Sequence, residues 1–252
     1  MKRLPVGRTR PGSGLSRRQM LNLTGSALVL TLTGCRPERA GADKTAAAPA
    51  LPSCVARPQQ TEGPYFADER LERSDLRSDP ADGSVREGVL LNLAFRVSTV
   101  GDTACIPLAG AMVDVWQCDA LGVYSDVKDF GGQFDTRGKK FLRGYQLTDD
   151  DGVARFITVY PGWYPGRTVH IHFKIRSAQA ARPAYEFTSQ LYFDDAVTDR
   201  VHASAPYAGK GRRTVRNDGD GIFRGGGERL MLELVKDGQG YAGVFDIGLR
   251  IA

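Results

Sequence analysis

Leu142-Arg143-Gly144-Tyr145-Gln146-Leu147-Thr148-Asp149-Asp150-Asp151-Gly152-Val153-Ala154-Arg155-Phe156-Ile157-Thr158-Val159-Tyr160 is the stretch in which the fold is easiest to read. Two short runs containing apolar and β-branched residues flank Asp-Asp-Asp-Gly, which is turn chemistry: Asp carboxylates accept nearby backbone N–H groups and Gly tolerates positive φ. The expectation is a β-hairpin, Leu142–Thr148 joined to Val153–Tyr160. Three adjacent acids raise the question of calcium. The spaced ligands of an EF-hand loop are missing, so a plain turn is expected.

The same reading extends in both directions. Val89–Val100 (VLLNLAFRVSTV) reads as the first long strand and Gly110–Cys118 (GAMVDVWQC) as the next. Beyond the hairpin, strands are expected around His170 and His172, at Tyr185–Phe193, at Glu228–Val235 and at Tyr241–Ile251. One short helix is expected at Asp195–Ala203, with Asp194 as its N-cap. Many short strands with Gly/Pro turns and almost no helical periodicity predict an all-β chain, a β-sandwich with long irregular loops. Residues 61–88 carry no clear period and read as an N-terminal arm laid over the domain surface.

Gly162-Trp163-Tyr164-Pro165-Gly166-Arg167-Thr168-Val169-His170-Ile171-His172-Phe173-Lys174 holds two of the three histidines. On a strand, alternate residues share a face and stand roughly 6.5–7 Å apart, so two imidazoles one residue apart can converge on one metal ion. Candidate oxygen ligands are Tyr164, Tyr160, Tyr145 and Tyr124; no cysteine or close Asp/Glu pair accompanies His170. A phenol ligates only where a strongly charged cation displaces its proton, and the resulting hard anion favours iron(III) over zinc or iron(II). Tyr164 is set apart by Pro161-Gly162 and Pro165-Gly166, which hold it in a turn just before the histidine strand. His202, the third histidine, is expected at the surface.

The first segment reads as an address and not as fold. Lys2, Arg3, Arg8, Arg10, Arg17 and Arg18 precede an uncharged run from Leu21 to Gly34. That run is shorter than the roughly 20 residues of a membrane-spanning helix. Residues 1–35 therefore read as an export signal. Ser16-Arg17-Arg18-Gln19-Met20-Leu21 looks like a twin-arginine signal, and Leu32-Thr33-Gly34-Cys35 resembles a lipobox that would leave Cys35 lipidated. The expected location is periplasmic or cell-surface, with a lipid anchor. Ala- and Pro-rich residues 36–53 read as a tether, and 54–252 as one domain.

The full chain carries 34 Lys and Arg against 29 Asp and Glu, a formal charge of +5. The six basic groups of the signal account for that excess, so the basic balance argues for no nucleic-acid partner. Of the cysteines beyond the signal, Cys118 sits in an apolar strand beside Trp116 and reads as a buried thiol. Three cysteines allow three single pairings. Cys54 opens the domain and Cys105 lies in a turn-like segment, so the expected disulfide in an oxidising compartment is Cys54–Cys105, contributing about 3–4 kcal/mol.

Thr61-Glu62-Gly63-Pro64-Tyr65-Phe66, Val113-Asp114-Val115-Trp116-Gln117-Cys118-Asp119-Ala120, Gly122-Val123-Tyr124-Ser125 and the stretch Gly162–Lys174 together resemble the intradiol ring-cleavage dioxygenases, in order, across 54–252. The likeness is strongest to the exported single-domain members. It implies Fe(III) held by Tyr124, Tyr164, His170 and His172, with Tyr164 axial, displaced by substrate and opposite His172. It implies Arg167 as the cation that stabilises charge on the bound catecholate, Gln190 beside the reacting centre, and Pro64 and Tyr65 lining the substrate pocket. Gln117 stands where many exported members have His, a position that is not a ligand. The implied reaction inserts both atoms of O2 into a catechol ring. The rival expectation is a non-catalytic β-sandwich module that binds phenolic or carbohydrate ligands.

Overall fold

The computed structural model describes residues 55–101, 104–178 and 184–251. The expected signal, tether, Cys35 and Cys54 lie outside them. The described residues belong to one unit, 47–252.

Two sheets pack face to face. Leu90–Val100 (β1) is the centre of the first. It pairs in parallel with Gly240–Leu249 (β9) on one side. On the other side it pairs antiparallel with Val153–Val159 (β5) and then with Cys105–Pro107 (β2). Leu234–Asp237 (β8) closes the far edge against β9. The second sheet runs Arg143–Leu147 (β4), Ala111–Trp116 (β3), His170–Ser177 (β6), Glu186–Tyr192 (β7), all antiparallel neighbours. Two helices, Asp195–His202 (α1) and Gly221–Arg224 (α2), lie in the connection that follows β7.

Period-two alternation builds the core. Leu91, Leu93, Phe95 and Val97 of β1 point inward and are essentially inaccessible. Ile171, Phe173 and Ile175 of β6 face them from the second sheet, and Phe173 meets Phe95 and Phe245 at ring-centroid distances of 5.1 and 5.5 Å. Burying such side chains contributes about 1.5–3 kcal/mol each. The residues between them, His170, His172 and Lys174, are buried too, on the opposite face of the sheet. Over His172 and Lys174 that second burial comes from the arm, which begins beside β9 (Gly248 N–H to Val55 O, 2.9 Å), docks on β7 (Gln60 N–H to Thr188 O, 3.0 Å) and reaches β4 (Arg73 N–H to Tyr145 O, 3.0 Å). The arm covers the edge of β7, and the centre of the sheet's outer face becomes an interior.

Four expectations need correction. The Leu142–Thr148 and Val153–Tyr160 runs form no hairpin: β4 pairs with β3 and β5 with β1, in different sheets. The turn between them is as tight as expected, with Gly152 N–H on Asp149 O (2.9 Å) and the Asp149 carboxylate accepting Val153 N–H (2.8 Å). Such a turn closes a hairpin or a corner between sheets equally well, and the longer register available with β1 decides which. Glu228–Val235 is not one strand. Its first residues belong to a single helical turn, Gly227–Leu230, and β8 begins only at Leu234. His202 is buried, because the inward face of α1 carries it with Thr198 and Val201. Its Nε2 donates to Pro161 O (3.0 Å) and its ring stacks on Tyr207 at 5.0 Å. Cys105, read as part of a turn, lies in the short strand β2 and is disulfide-bonded, while Cys118 is a free buried thiol.

Candidate metal centre

His170 and His172 stand at the start of β6 on its outer face, and their Nε2 atoms are 3.1 Å apart. Each is fixed by its surroundings. His170 Nδ1–H donates to Thr168 O at 2.6 Å, which leaves the Nε2 lone pair aimed at the centre. His172 lies flat against Trp116, its cross-strand partner, at 5.0 Å and 6° between planes. Gly63 of the arm covers the other side; a Cβ there would sit 3.1 Å from His172 Cε1.

The two tyrosines come from separate loops. Tyr164 lies in the turn before β6, its Oη 3.1 Å from His170 Nε2. Tyr124 follows β3, fully buried, with its ring 5.7 Å from that of Tyr164 and no hydrogen-bond partner for its hydroxyl. The loops touch backbone to backbone, with Gly162 N–H on Asp119 O at 3.0 Å, and any side chain at 162 would collide with the carbonyls of Asp119 and Ala120. Gly162 is what allows the two phenols to share one site. Tyr145 and Tyr160 are elsewhere: the first pairs with Glu72 and the second, buried in the core, with Thr198.

Arg167 is held on three sides. Nε donates to Asp220 Oδ2 (2.8 Å), one Nη to Gln190 Oε1 (2.6 Å), and the other lies 3.4 Å from His170 Nε2. Gln190 Oε1 also accepts from Tyr192 Oη (3.0 Å), while its amide nitrogen donates to Thr61 O (2.9 Å), so its orientation is set. Asp220 is itself saturated, accepting Thr168 N–H at 2.8 Å and capping α2 through Ile222 N–H at 2.7 Å. Burial alone would raise its pKa, but the Thr168 N–H and the Arg167 charge hold it below the usual carboxylate range.

Sequence reasoning did not find Asp220, Tyr192 or Arg143. The buried Arg143 donates to Ser125 Oγ (2.8 Å) and to Tyr65 O (3.3 Å), tying the arm to the Tyr124 loop. Asp220 before Gly-Ile-Phe-Arg carries an N-cap signal; nothing local announces its pairing with Arg167. Gln117, in contrast, is a clasp remote from the donors, bonding Val159 O (2.8 Å) and Thr158 Oγ1 (3.0 Å). Tyr65 packs against Tyr124 at 4.7 Å, its ring tilted by 36° and its hydroxyl turned to Asp129 (2.8 Å), and Pro64 is exposed.

The electrostatics suit a highly charged cation. Burial, then the neighbouring Arg167, pushes His170 down to about 3, and burial, then His170, holds His172 well below its ordinary value, so both imidazoles are neutral. Burial, then Tyr164, pushes Tyr124 far up. Two phenolates this close are tolerable only with positive charge between them. Among the described residues no group of three or more His, Cys, Asp and Glu could hold a metal, so a metal here takes its anionic oxygens from phenols. The orphaned Tyr124 hydroxyl and the two converging Nε2 atoms fit iron(III).

Fold and site define a β-sandwich protein with a buried donor set of two histidines and two tyrosines beside a carboxylate-anchored arginine. A family model described as dioxygenase matches residues 61–219. Among solved structures, an intradiol ring-cleavage dioxygenase from Tetranychus urticae is similar with a TM-score of 0.67 and 29% identity, over 78% of this chain and 95% of that one. The dioxygenase domain of a dioxygenase carbohydrate-binding protein fusion from Streptomyces sp. SirexAA-E gives 0.55 and 31%, over 78% and 99%. Catechol 1,2-dioxygenase of Candida albicans is 32% identical over 131 residues, 44% of this chain and 39% of that protein. The protocatechuate 3,4-dioxygenase beta chain of Burkholderia cepacia is 28% identical over 156 residues, 57% and 58% respectively. The chain thus spans less than two thirds of the length of these curated relatives. It belongs to the intradiol ring-cleavage dioxygenase family.

Proposed function

We propose that the protein is a non-haem iron(III) dioxygenase that cleaves a catechol between its two hydroxyl-bearing carbons, placing both atoms of O2 in a cis,cis-muconate-type diacid. The observation that carries this reading is the convergence of two neutral imidazoles and two phenols, with His170 Nε2 3.1 Å from both His172 Nε2 and Tyr164 Oη. Tyr124, Tyr164, His170 and His172 would hold the iron. When bound, ferric iron supplies the Lewis acidity that makes a catechol give up its phenolic protons and turns its ring toward O2.

The remaining chemistry belongs to the chain's own side chains. Tyr164 is the less enclosed of the two tyrosines, and its oxygen would be the one to take a proton from an incoming catechol. Arg167, immobilised by Asp220 and Gln190, presents a fixed positive charge where negative charge develops on the substrate. Preorganised donors of this kind are worth most in a dry site. Trp116 and Gly63 lie on either side of the His172 ring and exclude water from that side of the donor set. Export through residues 1–35, with a lipid anchor at Cys35, belongs to the same proposal and would bring the enzyme to catechols outside the cytoplasm.

The test is iron loading followed by oxygen uptake with catechol. The expected result is one iron per chain, a visible tyrosinate-to-iron band and a diacid product. A colourless, iron-free protein after loading would overturn the reading.

A further inference from the structure

An aromatic ladder leads from the donor set to solvent. Tyr124 is covered by Tyr65 at 4.7 Å, and Tyr65 is stacked in turn by Phe130 at 6.4 Å and 28° between planes. Phe130 is 84% exposed. It sits at the tip of a small hairpin whose roots are fixed: Lys128 and Asp135 pair across it, and Asp129 N–H bonds Phe134 O at 3.0 Å. Val127 and Phe134 pack into the same apolar cluster as Tyr124 and Tyr164. The other apolar side chains of this loop are therefore used in packing, and Phe130 alone is held out over the ladder.

The neighbouring charge is negative. Asp129 accepts the Tyr65 hydroxyl at 2.8 Å and the Gln133 N–H at 3.1 Å. The hydroxyl that faces the rim is thus committed as a donor to a carboxylate and offers a substituent only its acceptor lone pairs. An anion arriving here meets Asp129.

We propose that Phe130 and Asp129 form a substituent site that selects catechols carrying a neutral, apolar side chain and disfavours carboxyl-substituted ones. A ring held at the donor set lies beside Tyr65, and an alkyl or aryl group extending from it toward solvent buries apolar area against Tyr65 and Phe130. The inference rests on the dioxygenase reading and gives it a substrate class.

The experiment compares catechol, 4-butylcatechol and 3,4-dihydroxybenzoate on the iron-loaded full chain, by kcat/KM and by Kd measured without oxygen. Wild type should favour butylcatechol over catechol in both readouts. Phe130→Ala should lower that preference about tenfold, the loss of one to two buried methylenes, and Phe130→Leu should restore part of it. Because Phe130 is exposed, neither variant removes core packing. Asp129→Asn keeps an acceptor for Tyr65 and should improve the dihydroxybenzoate-to-catechol ratio severalfold. Ratios unchanged in Phe130→Ala, or a uniform loss on all three compounds, would overturn the proposal. Failure of the dioxygenase reading looks different: wild type then neither binds nor cleaves catechol itself, and both proposals fall.

Discussion

Arg167 and Asp220, 53 residues apart in sequence, form an ion pair with Nε 2.8 Å from Oδ2 and the carboxylate side chain 1% exposed. The same carboxylate caps α2 and receives the Thr168 N–H two residues before His170. One aspartate therefore orients the cation of the site and anchors the entry to its histidine strand. Asp220→Ala should cost about 3–5 kcal/mol, the usual loss when one member of a buried pair is removed. Denaturant unfolding reads that figure. Asp220→Asn, which keeps the cap, should lose much less stability but still misplace Arg167, lowering kcat/KM on the order of 10²-fold.

Tyr124 separates stability from metal binding. Its hydroxyl is buried without a partner, so in metal-free protein it is a cost. Tyr124→Phe should melt higher than wild type without iron, by about 1–3 kcal/mol, and yet hold less iron and show a weaker visible band. Thermal melts with and without iron, together with metal analysis, check both halves. A lower-melting metal-free variant would mean that the hydroxyl is satisfied.

Gly162 and Gly166 flank Tyr164 but differ in what surrounds them. A Cβ at 162 would lie 2.6 Å from Asp119 O, whereas one at 166 meets nothing within 4 Å and carries only the strain of φ +87°. Gly166→Ala should cost about 1–2 kcal/mol. Gly162→Ala should cost at least about 1–3 kcal/mol, because backbone must move, and should abolish iron uptake by parting the Tyr124 and Tyr164 loops. Equal iron content in the two variants would refute this account.

His202 makes stability depend on pH. Burial holds its pKa below the ordinary value, with Arg213 adding to the effect against the Pro161 hydrogen bond, and Nδ1 has no acceptor for a second proton. Below about pH 6.5 the unfolded chain binds a proton that the native protein refuses, so stability falls as pH falls, by up to about 1.4 kcal/mol per pH unit for this group. His202→Gln keeps a donor for Pro161 O and should flatten the curve relative to wild type between pH 6.5 and 5. Parallel curves would show that His202 titrates in the native protein as it does in the unfolded chain.

With Cys105 disulfide-bonded and Cys118 a free buried thiol, non-reducing peptide mapping of the oxidised protein should find Cys54 joined to Cys105. Cys105→Ser should lower stability by about 2–5 kcal/mol. A free Cys54 would contradict the pairing.

Strand content was legible because alternation is a local property: Leu91, Leu93, Phe95 and Val97 announce one buried face of β1 whatever the strand pairs with. Pairing was not. The Asp149–Gly152 turn carries the same hydrogen bonds in a hairpin as in a corner between sheets, and only β1 and β3, each more than 25 residues upstream, draw β5 and β4 apart. The depth of His202 was equally invisible, since a short helix shows which residues share a face but not what that face meets.

The opening stretch and the histidine strand beyond it mark the limit. The sequence by itself determined that the chain is all-β, that His170 and His172 share a face, and that Tyr164 stands in a turn beside them, because each of these follows from backbone periodicity and turn chemistry over a few residues. Only the tertiary structure decided that this face is an interior, with the arm closing over it. It also decided that Tyr124 reaches the site across Gly162, that Asp220 anchors Arg167, and that Phe130 stands exposed at the end of the aromatic ladder. Those contacts join segments far apart in sequence, Val55 and Gly248 among them, and their energies come from burial and charge pairing that do not exist until the two sheets and the arm have packed.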